Sequence, residues 1–305
     1  MADSALVGRF APSPTGRMHA GNIFAALMSW LIVKSHGGSM VLRIEDLDID
    51  RSRAEYADQV MRDLEMLGLT WDRGPYRQSD RNEAYREAFD VLSERGTVYP
   101  CFCTRADLFA ASAPHRGEKL VYAGTCRGLS DKEVQERSAL RSPAFRLSVP
   151  NTVYELDDMV QGRYSQNLAT ECGDFIIRRS DGLFAYQLAV VVDDAEQGVN
   201  CIVRGMDLLV STPQQMFVQD VLGYGHARYA HVPLIVGDRD RRLSKRDRDA
   251  GMDELLLRFK TPEGIIGHIA WLAGLTETDE PCTCENLLEG FEIPDFPDKV
   301  QILWH

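Results

Sequence analysis

Residues 8–22 read GRFAPSPTGRMHAGN. The apolar stretch LVGRFA at 6–11 predicts a short buried strand, and PSPTG after it predicts a turn-rich loop. From 22 to 36 apolar side chains recur at helical spacing (Ile23, Leu27, Trp30, Leu31), and the pair Gly37-Gly38 ends that helix. MVLRI at 40–44 predicts a second strand running into Glu45-Asp46, and 53–68 predicts a second helix. Strand, loop, helix, strand and helix in that order argue for a parallel α/β sheet. In such a sheet the loop that leaves a strand and opens a helix is where nucleotides bind. The helix N-terminus offers free N–H groups and partial positive charge to a phosphate. His19 can donate to a phosphate oxygen, and Gly21, with no Cβ, lets a base or ribose come close. A lone His-x-Gly at a helix start fits an ordinary helix beginning as well.

Downstream the rhythm breaks. Residues 97–126 hold cysteines, prolines and glycines, and 131–171 read as irregular or β-like. DFIIR at 174–178, LAVVVD at 188–193 and CIVR at 201–204 again predict buried strands. The middle segment therefore reads as an insertion between two halves of one α/β domain. Past residue 238 the pattern is helical over 253–259 and 263–273, and 276–305 is poorly patterned. The expected division is a first catalytic half at 1–96, an insertion at 97–173, a second half at 174–237 and a C-terminal region at 238–305.

A chain of 305 residues with 44% hydrophobic and 26% charged residues is ordinary for a globular enzyme. It has no apolar run long enough for a membrane span and no basic, then apolar, N-terminal leader, so a cytoplasmic protein without membrane contact is expected, working as a monomer. The net charge of −12 speaks against nucleic-acid binding over the whole surface, but charge is unevenly placed. RDRRLSKRDR at 239–248 is strongly basic, whereas 277–298 is strongly acidic. Seven cysteines in a chain without a leader argue against a disulfide framework.

Taken together, RFAPSPTGRMHAGN at 9–22 resembles the HIGH-motif region of the class I glutamyl-tRNA synthetases. LRIEDLD at 42–48, DGLFAYQLAVVVDD at 181–194 and IVRGMDLL at 202–209 resemble further parts of the same site, and RLSKR at 242–246 stands where that family has its KMSKS loop. The resemblance covers about residues 5–250. Asn22 replaces the last histidine of HIGH, and Arg242 and Arg246 flank Leu243-Ser244-Lys245 where the full motif has lysine and serine. The resemblance implies a Rossmann-like parallel sheet of the class I synthetase kind, with an inserted zinc-containing acceptor-type domain and a short helical C-terminal region. It implies ATP and Mg²⁺ as well, with His19, Gly21, Asn22, Leu243, Ser244 and Lys245 at the nucleotide and His19 and Lys245 as catalytic residues. Lysine, arginine, histidine and metal are what stabilise charge moving onto a leaving pyrophosphate.

Glutamate carries two carboxylates and one ammonium, so its site needs two strong donors and one anion. Arg9 and Arg204 can each hold a carboxylate in a planar fork, Glu45 can hold the ammonium, and Ser13 and Tyr186 can donate from hydroxyls. By resemblance the glutamate site comprises Arg9, Phe10, Ala11, Pro12, Ser13, Glu45, Tyr186 and Arg204. Read without it, Glu45 caps the next helix and Arg204 pairs with Asp207.

Cys101 and Cys103, followed by Tyr122 and Cys126, suit a tetrahedral zinc, although a tyrosine ligand is unusual. A short glutamyl-type enzyme acting on queuosine has this pattern. His115 is the alternative fourth ligand, and Cys282 with Cys284 the alternative second pair. Cys172 and Cys201 lie in strand-like stretches and read as core thiols. Sixty residues follow Lys245, too few for the helical domains with which a full glutamyl-tRNA synthetase reads an anticodon. With that shortness, the resemblance to short glutamyl-type enzymes implies the queuosine base in the anticodon of tRNA(Asp) as the expected acceptor. A short enzyme charging the 3′ end of tRNA(Glu) and a non-catalytic glutamate- or ATP-binding paralogue are the alternatives.

Overall fold

The computed structural model describes residues 5–48, 50–104, 107, 121–237, 241–242 and 251–304. Its centre is the unit that the opening sequence predicts. Strand β1 (Val7–Phe10) leads through the proline loop into helix α1 (Ala20–Lys34), and β2 (Ser39–Ile44) returns beside β1. The return is tight: Gly37 takes a φ of 65°, and a Cβ on Gly38 would stand 2.4 Å from the Leu6 carbonyl oxygen. Helix α2 (Ala54–Met66) then leads to β3 (Arg73–Arg77). The three strands form one parallel sheet with β2 in the middle. Ten residues of α1 are buried, from Ala20 to Val33, because the helix touches β1 and β2 on one side and the C-terminal region on another.

Helix α3 (Asn82–Glu94) buries Tyr85, Ala88, Phe89 and Leu92 at helical spacing and precedes β4 (Val98–Cys101). The stretch 131–171, expected to be irregular or β-like, begins with a helix, α4 (Asp131–Leu140). A capping box, with Ser130 and Glu133 bonded to each other's backbone N–H, starts it. None of its residues is buried, so hydrophobic periodicity could not reveal it. Then come β5 (Ala144–Leu147) and the hairpin of β6 (Val153–Asp158) and β7 (Gly162–Asn167). After the short helix α5 (Leu168–Glu171), β8 (Phe175–Arg178) is a strand as expected, but it joins β5 and β4 in an antiparallel sheet.

LAVVVD at 188–193 is not a strand. It lies inside helix α6 (Tyr186–Glu196), which buries every residue from Leu188 to Asp194. A short apolar run buried on all sides carries no period to separate strand from helix. The parallel core resumes with β9 (Cys201–Gly205), helix α7 (Thr212–Leu222) and β10 (Arg228–Val232). This pair flanks β1, with the Asn200 N–H donating to the Val7 carbonyl at 3.0 Å. Cys201 is a core thiol as expected; Cys172 is half-buried at the end of α5 rather than in a strand.

Strand β11 (Leu234–Gly237) turns back antiparallel through β12 (Arg241–Arg242). Helices α8 (Met252–Phe259) and α9 (Pro262–Leu272) occupy the predicted places. The tail is mostly without regular elements, yet its last strand, β13 (Gln301–Leu303), pairs parallel with β11. Phe296 packs edge-on against Phe24 of α1, and the Cys284 thiol donates to the Leu67 carbonyl at 3.1 Å. Among the described residues no helix is long and apolar enough to cross a membrane.

Candidate active site

The C-terminal ends of β1, β2 and β9 and the N-terminal ends of α1 and α6 surround one cavity of about 490 Å³. Arg9, Phe10, Ala11, Pro12, Ser13, His19, Asn22, Glu45, Tyr186 and Arg204 all line it. Every expected amino-acid residue is thus brought together, with two of the nucleotide residues at the α1 side. Gly21 is not in the lining; a Cβ there would stand 3.2 Å from the His19 ring. Leu243, Ser244 and Lys245 lie outside the described residues, as do His115 and most of the basic run at 239–248.

The cationic side chains are held from behind. Arg9 donates from Nη1 to the Val203 carbonyl at 3.1 Å and sets its Nε 3.4 Å from an Asp194 carboxylate oxygen. Asp194 belongs to a buried cluster that sequence reasoning did not single out. Arg43, on β2 and fully buried, donates from Nη1 to Asp194 at 2.8 Å and to Gln197 at 2.9 Å. Its Nη2 reaches Glu45 at 3.3 Å, and its Nε lies 3.6 Å from Asp193. Asp193 also accepts from Gln78 at 2.7 Å and from the Tyr85 hydroxyl at 2.9 Å, and pairs with Arg81. The signal was in LRIEDLD and VVDD: charged residues inside otherwise apolar runs must find partners when buried.

Glu45 sits just past β2, with its N–H bonded to the Pro12 carbonyl at 3.0 Å, which joins the proline loop to the strand end. Burial pushes the Glu45 carboxyl above the usual carboxylate range, against the pull of Arg43 and Arg9. An ammonium brought alongside would work the same way as the arginines and favour the carboxylate. Burial likewise raises the Tyr186 hydroxyl, which therefore remains a donor at neutral pH. Arg204 donates to the Tyr186 oxygen at 3.5 Å, to His231 at 3.0 Å and to Thr212 at 2.8 Å. The lining of the cavity thus includes two guanidinium groups, a phenol and a carboxylate. That set is of the kind that suits a small molecule with two carboxylates and an ammonium.

The cysteine cluster stands apart. Cys101, Cys103 and Cys126 place their sulfurs within 4.8 Å of one another. Cys103 and Cys126 are 3.6 Å apart, and the Tyr122 oxygen lies 3.4 Å from the Cys101 sulfur and 3.7 Å from that of Cys103. Tetrahedral zinc with bonds of about 2.3 Å to sulfur needs ligand atoms about 3.8 Å apart, so the group fits the ion. Arg146 donates to the Cys101 sulfur at 3.3 Å and stacks over the Tyr122 ring at 3.8 Å. Burial works against the Cys101 thiolate, but the bonds from Tyr122 and Arg146 outweigh it and lower its pKa. Cys103, without such an arginine bond, is pushed up to about 11, chiefly by burial. The alternative pairing with Cys282 and Cys284 is excluded, since Cys284 is buried against Leu67.

Over residues 5–289 the chain matches the family described as tRNA synthetases class I (E and Q), catalytic domain. It is 42% identical to the glutamyl-Q tRNA(Asp) synthetase of Symbiobacterium thermophilum, over 96% of this chain and 94% of that one. With the enzyme of that name from Geobacter sulfurreducens the identity is 47%, over 79% and 76% of the two chains. Among solved structures, a glutamate tRNA ligase from Elizabethkingia meningosepticum in complex with its amino acid superposes with a TM-score of 0.81 at 25% identity, covering 98% of this chain and 67% of that one.

The buried cluster makes a direct prediction. Arg43→Leu leaves Asp194 and Glu45 short of their shared partner in the interior and should cost about 3–5 kcal/mol of stability. Guanidinium chloride unfolding followed by circular dichroism measures it; a loss below about 1 kcal/mol would show that these carboxylates find water instead.

Proposed function

We propose that this chain, which belongs to the class I tRNA synthetases of the E and Q type and among them to the glutamyl-Q tRNA(Asp) synthetases, is a ligase that activates glutamate with ATP and passes the glutamyl group to the queuosine base of tRNA(Asp). The observation that carries this reading is the single cavity in which Arg9, Glu45, Tyr186 and Arg204 converge beside His19 and Asn22. In it, Arg9 and Arg204 take the two carboxylates and Glu45 the ammonium. The substrate carboxylate attacks the α-phosphorus of ATP, pyrophosphate leaves, and no covalent nucleophile of the protein is needed. His19 donates a hydrogen bond to a phosphate oxygen and Lys245 supplies positive charge for the departing pyrophosphate, alongside Mg²⁺ carried with ATP. The queuosine cyclopentene diol then offers a hydroxyl that attacks the acyl carbon and releases AMP. A second cavity of about 280 Å³ shares Ser13, Glu45 and Tyr186 with the first and supports an approach of the acceptor from the side away from His19.

Zinc, where bound, would be held by Cys101, Cys103, Cys126 and Tyr122 and would brace the segment inserted at 97–173. None of these residues lines the cavity, so the role proposed for the ion is structural.

Three outcomes test this reading. ATP–pyrophosphate exchange should depend on L-glutamate and fall roughly five- to 150-fold with L-glutamine, which leaves one guanidinium unpaired at a cost of roughly 1–3 kcal/mol. Arg204→Ala should abolish exchange and keep the circular dichroism spectrum. Equal exchange with glutamine would sink the pocket assignment.

An anticodon stem-loop of tRNA(Asp) carrying queuosine, with no acceptor arm, should accept radiolabelled glutamate, because a splayed-out loop base is read directly by the site it enters. Raising the salt should weaken transfer. Labelling that requires the 3′ adenosine of tRNA(Glu) would overturn the choice of acceptor.

Elemental analysis of protein purified without chelator should find about one zinc per chain, and Cys101→Ser should lose it while exchange persists. A Cys101→Ser variant as inactive in exchange as Lys245→Ala would make the metal catalytic.

A further inference from the structure

All three nitrogens of Arg204 meet the protein, but not equally. Nε donates to His231 Nε2 at 3.0 Å, and Nη2 donates to Thr212 Oγ1 at 2.8 Å. Nη1 donates to the Tyr186 oxygen at a long 3.5 Å and, with a second N–H, is the edge with most to offer a ligand. Which edge faces the cavity is thus decided by the group that receives Nε.

That group is fully buried on β10, and its protonation is constrained from both sides. A guanidinium N–H needs a lone pair opposite it, so His231 Nε2 must be bare and the proton must sit on Nδ1. Nδ1 lies 2.6 Å from Asp158 Oδ2, which accepts that proton's hydrogen bond. The other Asp158 oxygen accepts from the backbone N–H groups of Val160, Gln161 and His231 at 3.0, 2.9 and 3.0 Å, so the carboxylate is locked in place. Burial works to raise the Asp158 pKa, but these bonds prevail and hold it below the usual carboxylate range. Burial holds His231 below the usual imidazole range, which keeps the ring neutral.

We propose that Asp158 and His231 are positioning residues for amino-acid recognition: together they fix the imidazole tautomer that grips Arg204 Nε, and so turn Nη1, beside Tyr186, toward the substrate carboxylate. The inference rests on the reading of Arg204 as a carboxylate holder. It also gives the β6–β7 hairpin a part in that pocket, since Asp158 closes β6. Gln161, in the hairpin turn, clamps the arrangement by donating to the carbonyls of His231 and Lys299, each at 2.7 Å.

The test is ATP–pyrophosphate exchange with the full chain, varying L-glutamate and ATP separately. His231→Gln keeps an acceptor near the Nε2 position. His231→Phe keeps a ring and deletes both nitrogens. Asp158→Asn presents an amide N–H to Nδ1, moves the proton to Nε2 and sets it against the Arg204 N–H. His231→Phe and Asp158→Asn should raise the KM for glutamate roughly ten- to a hundredfold, the loss of one bond to a charged group, while the KM for ATP stays within about twofold. His231→Gln should recover most of that loss. In wild-type protein labelled with ¹⁵N-histidine, the ring signals that vanish in His231→Gln should be those of the Nδ1–H tautomer; an Nε2–H tautomer overturns the proposal whether or not the other variants fold. A glutamate KM unmoved in folded His231→Phe and Asp158→Asn overturns it too, as does an equal rise in both KM values. The underlying pocket reading fails by a separate result: glutamate-dependent exchange that survives Arg204→Ala.

Discussion

The structure depends on burying Asp193 and Asp194 of α6 against Arg43 of β2 and Arg9 of β1. Taking such charges out of water costs several kcal/mol per ion, and only close pairing with further hydrogen bonds offsets it. Here the pairing is dense: Arg43 meets both aspartates, Glu45 and Gln197, and Asp193 is further held by Gln78, Tyr85 and Arg81. The cluster ties two neighbouring strand ends to one helix far along the chain. The strand ends it ties are those that carry Arg9 and Glu45 into the cavity, so the groups that face a ligand inherit their positions from groups that never touch it.

Both cavity arginines follow one plan. Each is nearly buried and held at its back by groups of the protein: Arg9 by a hydrogen bond to Val203 and an ion pair with Asp194, Arg204 by hydrogen bonds to His231 and Thr212. A guanidinium fixed in this way loses little freedom when a carboxylate arrives, and in a site of low dielectric its charge acts with less screening. The loop Ala11–Ser13 is joined to the same frame by the Glu45–Pro12 backbone bond.

The stretch 97–173 and the tail are parts of this frame. The β6–β7 hairpin lies against β10 and contributes Asp158, and the tail returns to pair β13 with β11 beside it. The cysteine cluster stands in a separate part of that stretch, where Tyr122 bridges Cys101 and Cys103 under the Arg146 guanidinium.

The sequence by itself determined the β1–α1–β2 unit, the two C-terminal helices and the set of charged residues placed at strand ends. In these stretches the hydrophobic period and the turn residues are local, and the motif residues lie on the strands and loops that carry them. Three features were decided only by the tertiary structure, and one helix rests on a local cap that leaves no hydrophobic period. LAVVVD is helical because α6 must bring Asp193 and Asp194 to Arg43, and an apolar run buried on all sides gives no period to read. Phe175–Arg178 pairs antiparallel with β5, a choice of partner that no strand pattern encodes. Asp131–Leu140 is held by its cap and buries nothing, so its pattern was silent. Finally, His231 stands 27 residues beyond Arg204 and 73 beyond Asp158, and only the packing of β10 between β9 and the hairpin sets the three side chains in line. Local periodicity reports which face of an element is apolar; which buried charge meets which is settled by long-range packing, because a desolvated group is stable only where its partner has been brought to it.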